Sequence, residues 1–173
     1  MNPPTPSQKY LIGLAGYAGS GKDAIATELV QQHGFQRVAF ADAVKGVART
    51  LGWDGAKDDA GRRMLQEVGM LARQANPDHW VAQVEAQFDG HRVVVTDVRF
   101  QNEVEAIRRA GGVVLRVTRS GVGPVNDHLS ETALGDGPLD GVLRNDGDRE
   151  TLADRAAEAL ELGRQMALPL GDR

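Results

Sequence analysis

The chain has 173 residues, 41% of them apolar, 25% charged and 5% aromatic, with a formal net charge of −4. That length supports one compact domain with a core of Val, Leu, Ile and Ala, and the acidic balance argues against a surface devoted to a nucleic-acid polymer. There is no cysteine, which excludes a disulfide framework and Cys-based zinc sites, and no apolar run approaches the roughly 20 residues that span a bilayer.

Residues 1–9 (MNPPTPSQK) lack the basic and apolar blocks of a secretory signal and read as a flexible tail, so the expected compartment is the cytoplasm. Tyr10 to Ala15 is a short apolar run that predicts a strand, followed by a glycine-rich turn. Asp23 to Gln32 places Ile25, Ala26, Leu29 and Val30 on one helical face, with Gly34 where a C-terminal cap belongs. A brief strand at Arg37 to Phe40 precedes a helix reaching Leu51, for which Asp42 is the candidate cap. Met64, Val68, Leu71 and Ala75 form a further stripe closed by Pro77, and Asp78 caps a predicted helix bearing Val81, Val84 and Phe88. Val93 to Val95 reads as a strand buried on both faces. A helix from Gln101 to Ala110 and a strand from Val113 to Thr118 come next. Ser120 to Gly141 is rich in Gly, Pro and Asp, and a segment this long without periodicity predicts a lid or binding loop. A strand at Val142–Leu143 and a helix from Arg149 to Met166 end the pattern. Strands alternating with helices predict a parallel sheet covered on both faces.

The chemistry concentrates at Gly16 to Asp23, GYAGSGKD, which matches G-x-x-x-x-G-K but lacks the usual closing Ser or Thr. Glycines allow successive backbone N–H groups to turn inward as a nest for phosphate oxygens. The next helix directs its positive end to the same place. Gly16, Ala18, Gly19, Ser20, Gly21, Lys22 and Asp23 are therefore candidate ATP-binding residues, Lys22 supplying a cation for the β- and γ-phosphates. A carboxylate so near phosphate needs an intervening cation, so Asp23 is a candidate Mg²⁺ ligand, directly or through water; its alternative role is an acid favouring a helix N-terminus.

Further stretches accumulate: FADAVK after the second strand, GRRMLQEVG and NPDHWV in the helical region, TDVRFQNE after the apolar strand, DHLSE in the lid and NDGDRETL before the last helix. Together with GLAGYAGSGKD they resemble the bacteriophage deoxynucleoside monophosphate kinases, a branch of the P-loop nucleotide kinases. The resemblance covers nearly everything from Tyr10 to the last helix. It implies an α/β, three-layer fold with a five-stranded parallel sheet flanked by helices and a mobile lid. Residues 10–173 would then be a single kinase domain, with a substrate-binding helical region at about 41–90 and a lid at about 119–141.

The resemblance implies ATP and Mg²⁺ as cofactors and a nucleoside monophosphate, preferably deoxy, as substrate, with no membrane partner and room for a homodimer. Asp97, at the end of a strand, takes the place of an acid that meets Mg²⁺, or else caps the next turn. Arg99 resembles the clamp on the acceptor phosphate, its planar fork being suited to bidentate grip, and otherwise pairs with Glu103 or Glu105. Asn102 and Glu103 belong to the same signature. Asp42 and Lys45 border the monophosphate site or form a surface ion pair. Arg73 is a phosphate-binding arginine or part of a solvated face, and Trp80 stacks on a base or fills the core. Arg119 folds over the transferring phosphoryl, with Lys22 and Arg99 completing the catalytic set, while Arg116 is structural. His128, Ser130 and Glu131 match the lid signature, with His128 and Glu131 on the substrate side. Asn145 and Gly147 resemble a loop that contacts the adenine edge, or form a capping turn with Asp148.

Phosphoryl transfer to a monophosphate requires alignment and charge neutralisation more than a general base. Two other activities fit the P-loop. One is a kinase acting on a hydroxyl, such as dephospho-coenzyme A, with Asp42 or Asp97 as base. The other is a nucleotide-hydrolysing switch, against which stand the lack of an N-K-x-D motif and of a second acid after Asp97.

Overall fold

The computed structural model describes residues 9–56, 58–90, 92–123, 134–135, 137–147 and 151–166. Five strands, β1 (Tyr10–Ala15), β2 (Gln36–Val38), β3 (Arg92–Val98), β4 (Val113–Thr118) and β5 (Gly141–Arg144), form one sheet in the order β2-β3-β1-β4-β5. Every pairing is parallel. The helices are α1 (Lys22–His33), α2 (Phe40–Thr50), α3 (Asp59–Ala75), α4 (His79–Val84), α5 (Gln101–Arg109) and α6 (Leu152–Met166), and a 3₁₀ turn, Glu85–Asp89, extends α4.

Parallel strands are joined by crossover helices that pack on both faces of the sheet, so its central strands read as unbroken apolar runs. Ile12 and Leu14 of β1, Val94 of β3 and Leu115 of β4 bury one face under α1 and α6. Leu11, Val93, Val95 and Val114 bury the other under α2, α4 and α5. Because side chains alternate along a strand, Asp97 shares the face of Val93 and Val95 and points toward α2. Ile12 and Leu14 are fully buried, and truncation of either to Ala would cost about 2–5 kcal/mol.

Two adjacent central strands send their chains to opposite faces. β1 leads into α1 on one side, and β3 leads into α5 on the other. That reversal opens a crevice beyond the carboxyl ends of the strands, where α/β sheets bind ligands. Register sharpens the result. Ala15 pairs with Val98 on one side and with Arg116 on the other, so Gly16, Arg99 and Arg116 emerge at the same edge.

The expected elements form with shifts of a few residues. Two capping expectations fail, and the first is that of Asp42, which does not cap α2. The cap residue is Ala39, which has no side-chain acceptor. Asp97 supplies the acceptors from β3, its Oδ1 receiving Phe40 N–H (2.9 Å) and its Oδ2 receiving Ala41 N–H (2.8 Å). Asp78 precedes α4 but makes no side-chain cap bond. Asp58 does cap α3, accepting from Gly61 N at 2.8 Å. Among the described residues no helix is long and apolar enough to cross a membrane.

Candidate active site

The loop between β1 and α1 folds as the sequence requires. Gly16, Gly19 and Gly21 all have positive φ, where a Cβ would clash with the chain. Two of these positions are also sterically closed. A Cβ on Gly16 would lie 2.3 Å from Val117 O, and one on Gly21 would lie 2.0 Å from Asn145 Nδ2. The loop is thus seated against the ends of β4 and β5. Lys22, the first residue of α1, reaches back over it, its ammonium donating to Gly16 O (2.6 Å) and Tyr17 O (2.8 Å). Ala18 and Gly19 are exposed at the rim, and Asp23 is exposed in the first turn of α1.

Asn145 belongs to the underside of this loop. It is 4% exposed, it donates from Nδ2 to Ser20 O at 2.8 Å, and its backbone N–H donates to Thr118 O at 2.8 Å. The adenine-edge role expected of Asn145 therefore gives way to a strut: the amide is turned inward and holds the phosphate loop. Ser20 Oγ and Asn145 Oδ1 are buried beside it with no partner among the described residues. Gly147 is exposed and packs against Thr151, whose Oγ1 would clash with a Cβ at this position.

The second half of the site is a cavity of about 200 Å³ between α2, α3 and the β3–α5 turn. Its apolar wall is Phe40, Val44, Leu65, Met70 and Phe100; its polar groups are Lys45, Gln66, Arg73, Asp97, Arg99 and Glu103. Arg73 is held on three sides. Its Nη2 donates to Glu103 Oε1 at 2.8 Å, its Nη1 to Gly69 O at 3.2 Å, and its guanidinium carbon sits 4.0 Å from the centroid of the Phe100 ring. Glu103 is buried, 1% exposed, and its Oε2 accepts the backbone N–H groups of Arg99 (2.8 Å) and Phe100 (3.1 Å). Burial pushes the Glu103 carboxyl up to about 7, and neighbouring Asp97 adds to the rise, against the donors from Arg99 and Arg73. Burial likewise raises Asp97, with the N–H groups of Ala41 and Phe40 opposing.

Several candidates take the less chemical of their two readings. Trp80 is 1% exposed and donates from Nε1 to Gly69 O at 2.9 Å, so its ring is core and is not presented to a base. Asp42 forms a half-exposed ion triad, accepting from Arg37 and Lys45 at 2.8 Å each, and these donors hold its carboxyl below the usual range although burial opposes them. Lys45 also lines the cavity, whereas Asp42 does not. Both Asp97 oxygens are engaged by the start of α2, so Asp97 serves as the side-chain cap of that helix. Asn102 ties the start of α5 to the loop before α4, donating to Pro77 O (2.8 Å) and Asp78 Oδ1 (2.9 Å). His128, Ser130 and Glu131 lie outside the described residues, as do residues 1–8 of the expected tail.

Arg99 lies between the two halves. It lines the large cavity and also a small one whose opposite wall is Gly16 and Tyr17. Arg116 shares that small cavity and donates to Gly137 O at 2.9 Å. Arg119 and Arg116 line a third cavity, again against Gly16, Tyr17 and Ser20. The sequence reading missed Phe40, Phe100, Gln66 and Met70 as walls of the site. The signal was available, since Phe40, Phe100 and Gln66 lie inside the FADAVK, TDVRFQNE and GRRMLQEVG stretches and Met70 directly follows the last of them. Among the described residues no three His, Cys, Asp or Glu side chains cluster as a metal site.

Fold and loop together define a P-loop α/β protein with the architecture of the small kinases. A family model described as an AAA domain matches residues 12–121, and the chain belongs to that family. The resemblance to bacteriophage deoxynucleoside monophosphate kinases is borne out by two curated proteins, one from a mimivirus and one from a phage. A protein of Acanthamoeba polyphaga mimivirus named as a candidate deoxynucleotide monophosphate kinase is 29% identical, over 72% of this chain and 81% of its own. The deoxynucleotide monophosphate kinase of Escherichia phage RB69 is 30% identical, over 57% of this chain and 44% of its own. Among solved structures, a gluconokinase from Sinorhizobium meliloti superposes with a TM-score of 0.53 over 93% of this chain and 97% of its own, at 13% identity. That likeness is one of fold alone.

Proposed function

We propose that this protein transfers the γ-phosphoryl group of ATP to a deoxynucleoside monophosphate, giving the diphosphate and ADP. The observation that carries the reading is the position of Arg99. One guanidinium borders both the phosphate loop and a separate cavity already furnished with Arg73 and Lys45. Two phosphate-recognising regions joined by a shared arginine suit a reaction in which both partners are phosphates. The deoxy preference rests on the names of the viral relatives, which also favour a host-cytoplasm setting.

In this scheme the glycine loop and Lys22 hold the triphosphate, and Arg73, Arg99 and Lys45 hold the acceptor phosphate. An acceptor oxygen forms a bond to the γ-phosphorus as the bond to the β–γ bridging oxygen breaks, and the electron pair leaves with ADP. The acceptor phosphate is already largely ionised near neutral pH, so no residue need remove a proton. Arg119 and Arg116, beside the loop, neutralise charge on the transferring group. Asp23 is the carboxylate available to Mg²⁺, an ion that keeps most of its waters and takes one or two carboxylates plus phosphate; when bound it supplies charge neutralisation on the phosphates. A lid spanning about 119–141 would exclude water.

A hydroxyl acceptor would require a base. The two acids that line the cavity are each engaged by protein donors, Asp97 by two backbone N–H groups and Glu103 by Arg73 and two more, and Asp42, outside the lining, is engaged by Arg37 and Lys45. The deciding assay incubates ATP and Mg²⁺ with each deoxy- and ribonucleoside monophosphate, with dephospho-coenzyme A as comparator. Diphosphate formation from one or more deoxynucleotides is expected. Phosphorylation of dephospho-coenzyme A alone, or ATP hydrolysis indifferent to every acceptor, overturns the proposal.

A further inference from the structure

We infer that Glu103 is a positioning residue of the acceptor cavity, which holds the Arg73 guanidinium and the backbone carrying Arg99 in the geometry that grips the acceptor phosphate. The inference rests on the acceptor role proposed above for those two arginines and adds a residue that touches neither substrate.

A purely local role accounts for only half of what Glu103 does. As the third residue of α5, a glutamate is well placed to reach back to the N–H just ahead of the helix, one half of a capping box, and Oε2 does so at Phe100. Oε2 also accepts Arg99 N–H, which fixes the peptide from which that side chain departs. Neither bond requires Oε1, which instead accepts from Arg73, thirty residues away on α3. The Arg73 side chain is 17% exposed and that of Glu103 is 2% exposed. A guanidinium so enclosed stays in place only if its charge is met. Glu103 meets it on one side, the Phe100 face on another and Gly69 O on a third. Two of the five guanidinium N–H groups are thereby bonded, on a residue that still lines the cavity. Without the carboxylate, the long Arg73 side chain gains more from reaching solvent than from remaining between a neutral wall and a ring.

The test is a kinetic double-mutant cycle on the full chain, run at a pH well above 7 where Glu103 is ionised, with a deoxynucleoside monophosphate as the varied acceptor. Glu103→Gln preserves shape and removes the charge, and Arg73→Met preserves most of the apolar stem. Glu103→Gln is expected to raise the acceptor KM about tenfold or more, with the ATP KM changed less than about twofold. In the Arg73→Met background the same change adds less than about twofold, because the Gln amide oxygen still accepts the Arg99 and Phe100 N–H groups and the lost charge acts through the missing arginine. Additive effects in the cycle, or equal losses in both KM values, overturn the inference. If Glu103→Gln alone does not fold, Arg73→Met is compared with the neutral double variant: matching acceptor KM values uphold the inference, and a further rise overturns it. Wild-type protein that phosphorylates no monophosphate defeats the proposed function itself, whereas an active wild type with an additive cycle defeats only the role of Glu103.

Discussion

Replacing Gly21 by Ala tests the seating of the phosphate loop without touching any charged group. Gly21 has φ +97°, where a residue bearing a Cβ pays about 1–2 kcal/mol. The added methyl would also lie 2.0 Å from Asn145 Nδ2. Asn145 can relieve this only by swinging away, which breaks its bond to Ser20 O and leaves a buried polar group unpaired, a cost of about 1–3 kcal/mol. The two terms sum to about 2–5 kcal/mol, and for a chain of this size each kcal/mol moves Tm by about 2–4 °C. Thermal unfolding followed by circular dichroism should therefore show Tm lowered by about 4–20 °C. Asn145→Ala supplies the control. In that background the obstructing amide is gone, and Gly21→Ala should cost only the backbone term, about 1–2 kcal/mol. An equal cost in both backgrounds, or a single variant melting within about 1 °C of wild type, would refute the strut.

Asp97→Ala removes two charge-assisted bonds to the first turn of α2; with the carboxylate's own burial cost deducted, about 2–4 kcal/mol should be lost. Denaturant titration should place Asp97→Asn between that variant and wild type, because it keeps one acceptor oxygen; Asp97→Ala as stable as wild type would exclude the capping role. Lys22→Ala should lower turnover at least about 10²-fold, as for loss of a preorganised cation, while steady-state rates near normal would remove Lys22 from the mechanism. Glu103 yields a pH signature: its folded value of about 7 exceeds the ordinary 4.5, so the folded state binds the proton more tightly. Its stabilising contribution is full below about pH 4.5 and is lost as pH rises through 7, a change of about 3 kcal/mol. The unfolding free energy of wild type minus that of Glu103→Gln, followed by urea titration across that window, should fall by this order; a difference that stays flat contradicts the burial argument.

The parts of the fold that were legible in the sequence are those set by local rules. Val93–Val95 and Tyr10–Ala15 announce buried parallel strands, and the glycines from Gly16 to Gly21 announce a loop that no other residue type can trace. What was not legible depends on partners far apart in the chain. Asp42 looked like the cap of α2 because it stands near the helix start, yet the acceptors come from Asp97, 56 and 57 residues away. Trp80 could be core or base platform until Gly69 O was seen to take its N–H. Leu71 joined a helical stripe on paper but is 70% exposed, because α3 packs with only one flank against α2 and α4. Asn145 could not be assigned to the phosphate loop because nothing in its own neighbourhood refers to Ser20, 125 residues earlier.

These distant contacts explain how the two halves of the site are held in relation to each other. The phosphate loop leaves β1 and the arginine turn leaves β3, and the ladder pairing Ala15 with Val98 fixes one against the other. A hydrogen-bonded parallel sheet buried on both faces is the stiffest part of such a molecule, so Gly16 and Arg99 are set by the sheet and not by loop packing. The helical wall of the acceptor cavity has a different footing. It is joined to the sheet edge through Asp97 at the start of α2, and to the arginine turn through the Arg73–Glu103 pair from α3. Donor and arginine turn are thus prepositioned, while the acceptor wall rests on two carboxylates whose bonds a translation of α2 or α3 would break and a pivot about them would keep. If acceptor binding draws that wall inward, the movement should be a rigid swing of α2 and α3 about these two anchors. Mutation of either anchor should then alter acceptor kinetics while leaving ATP binding intact.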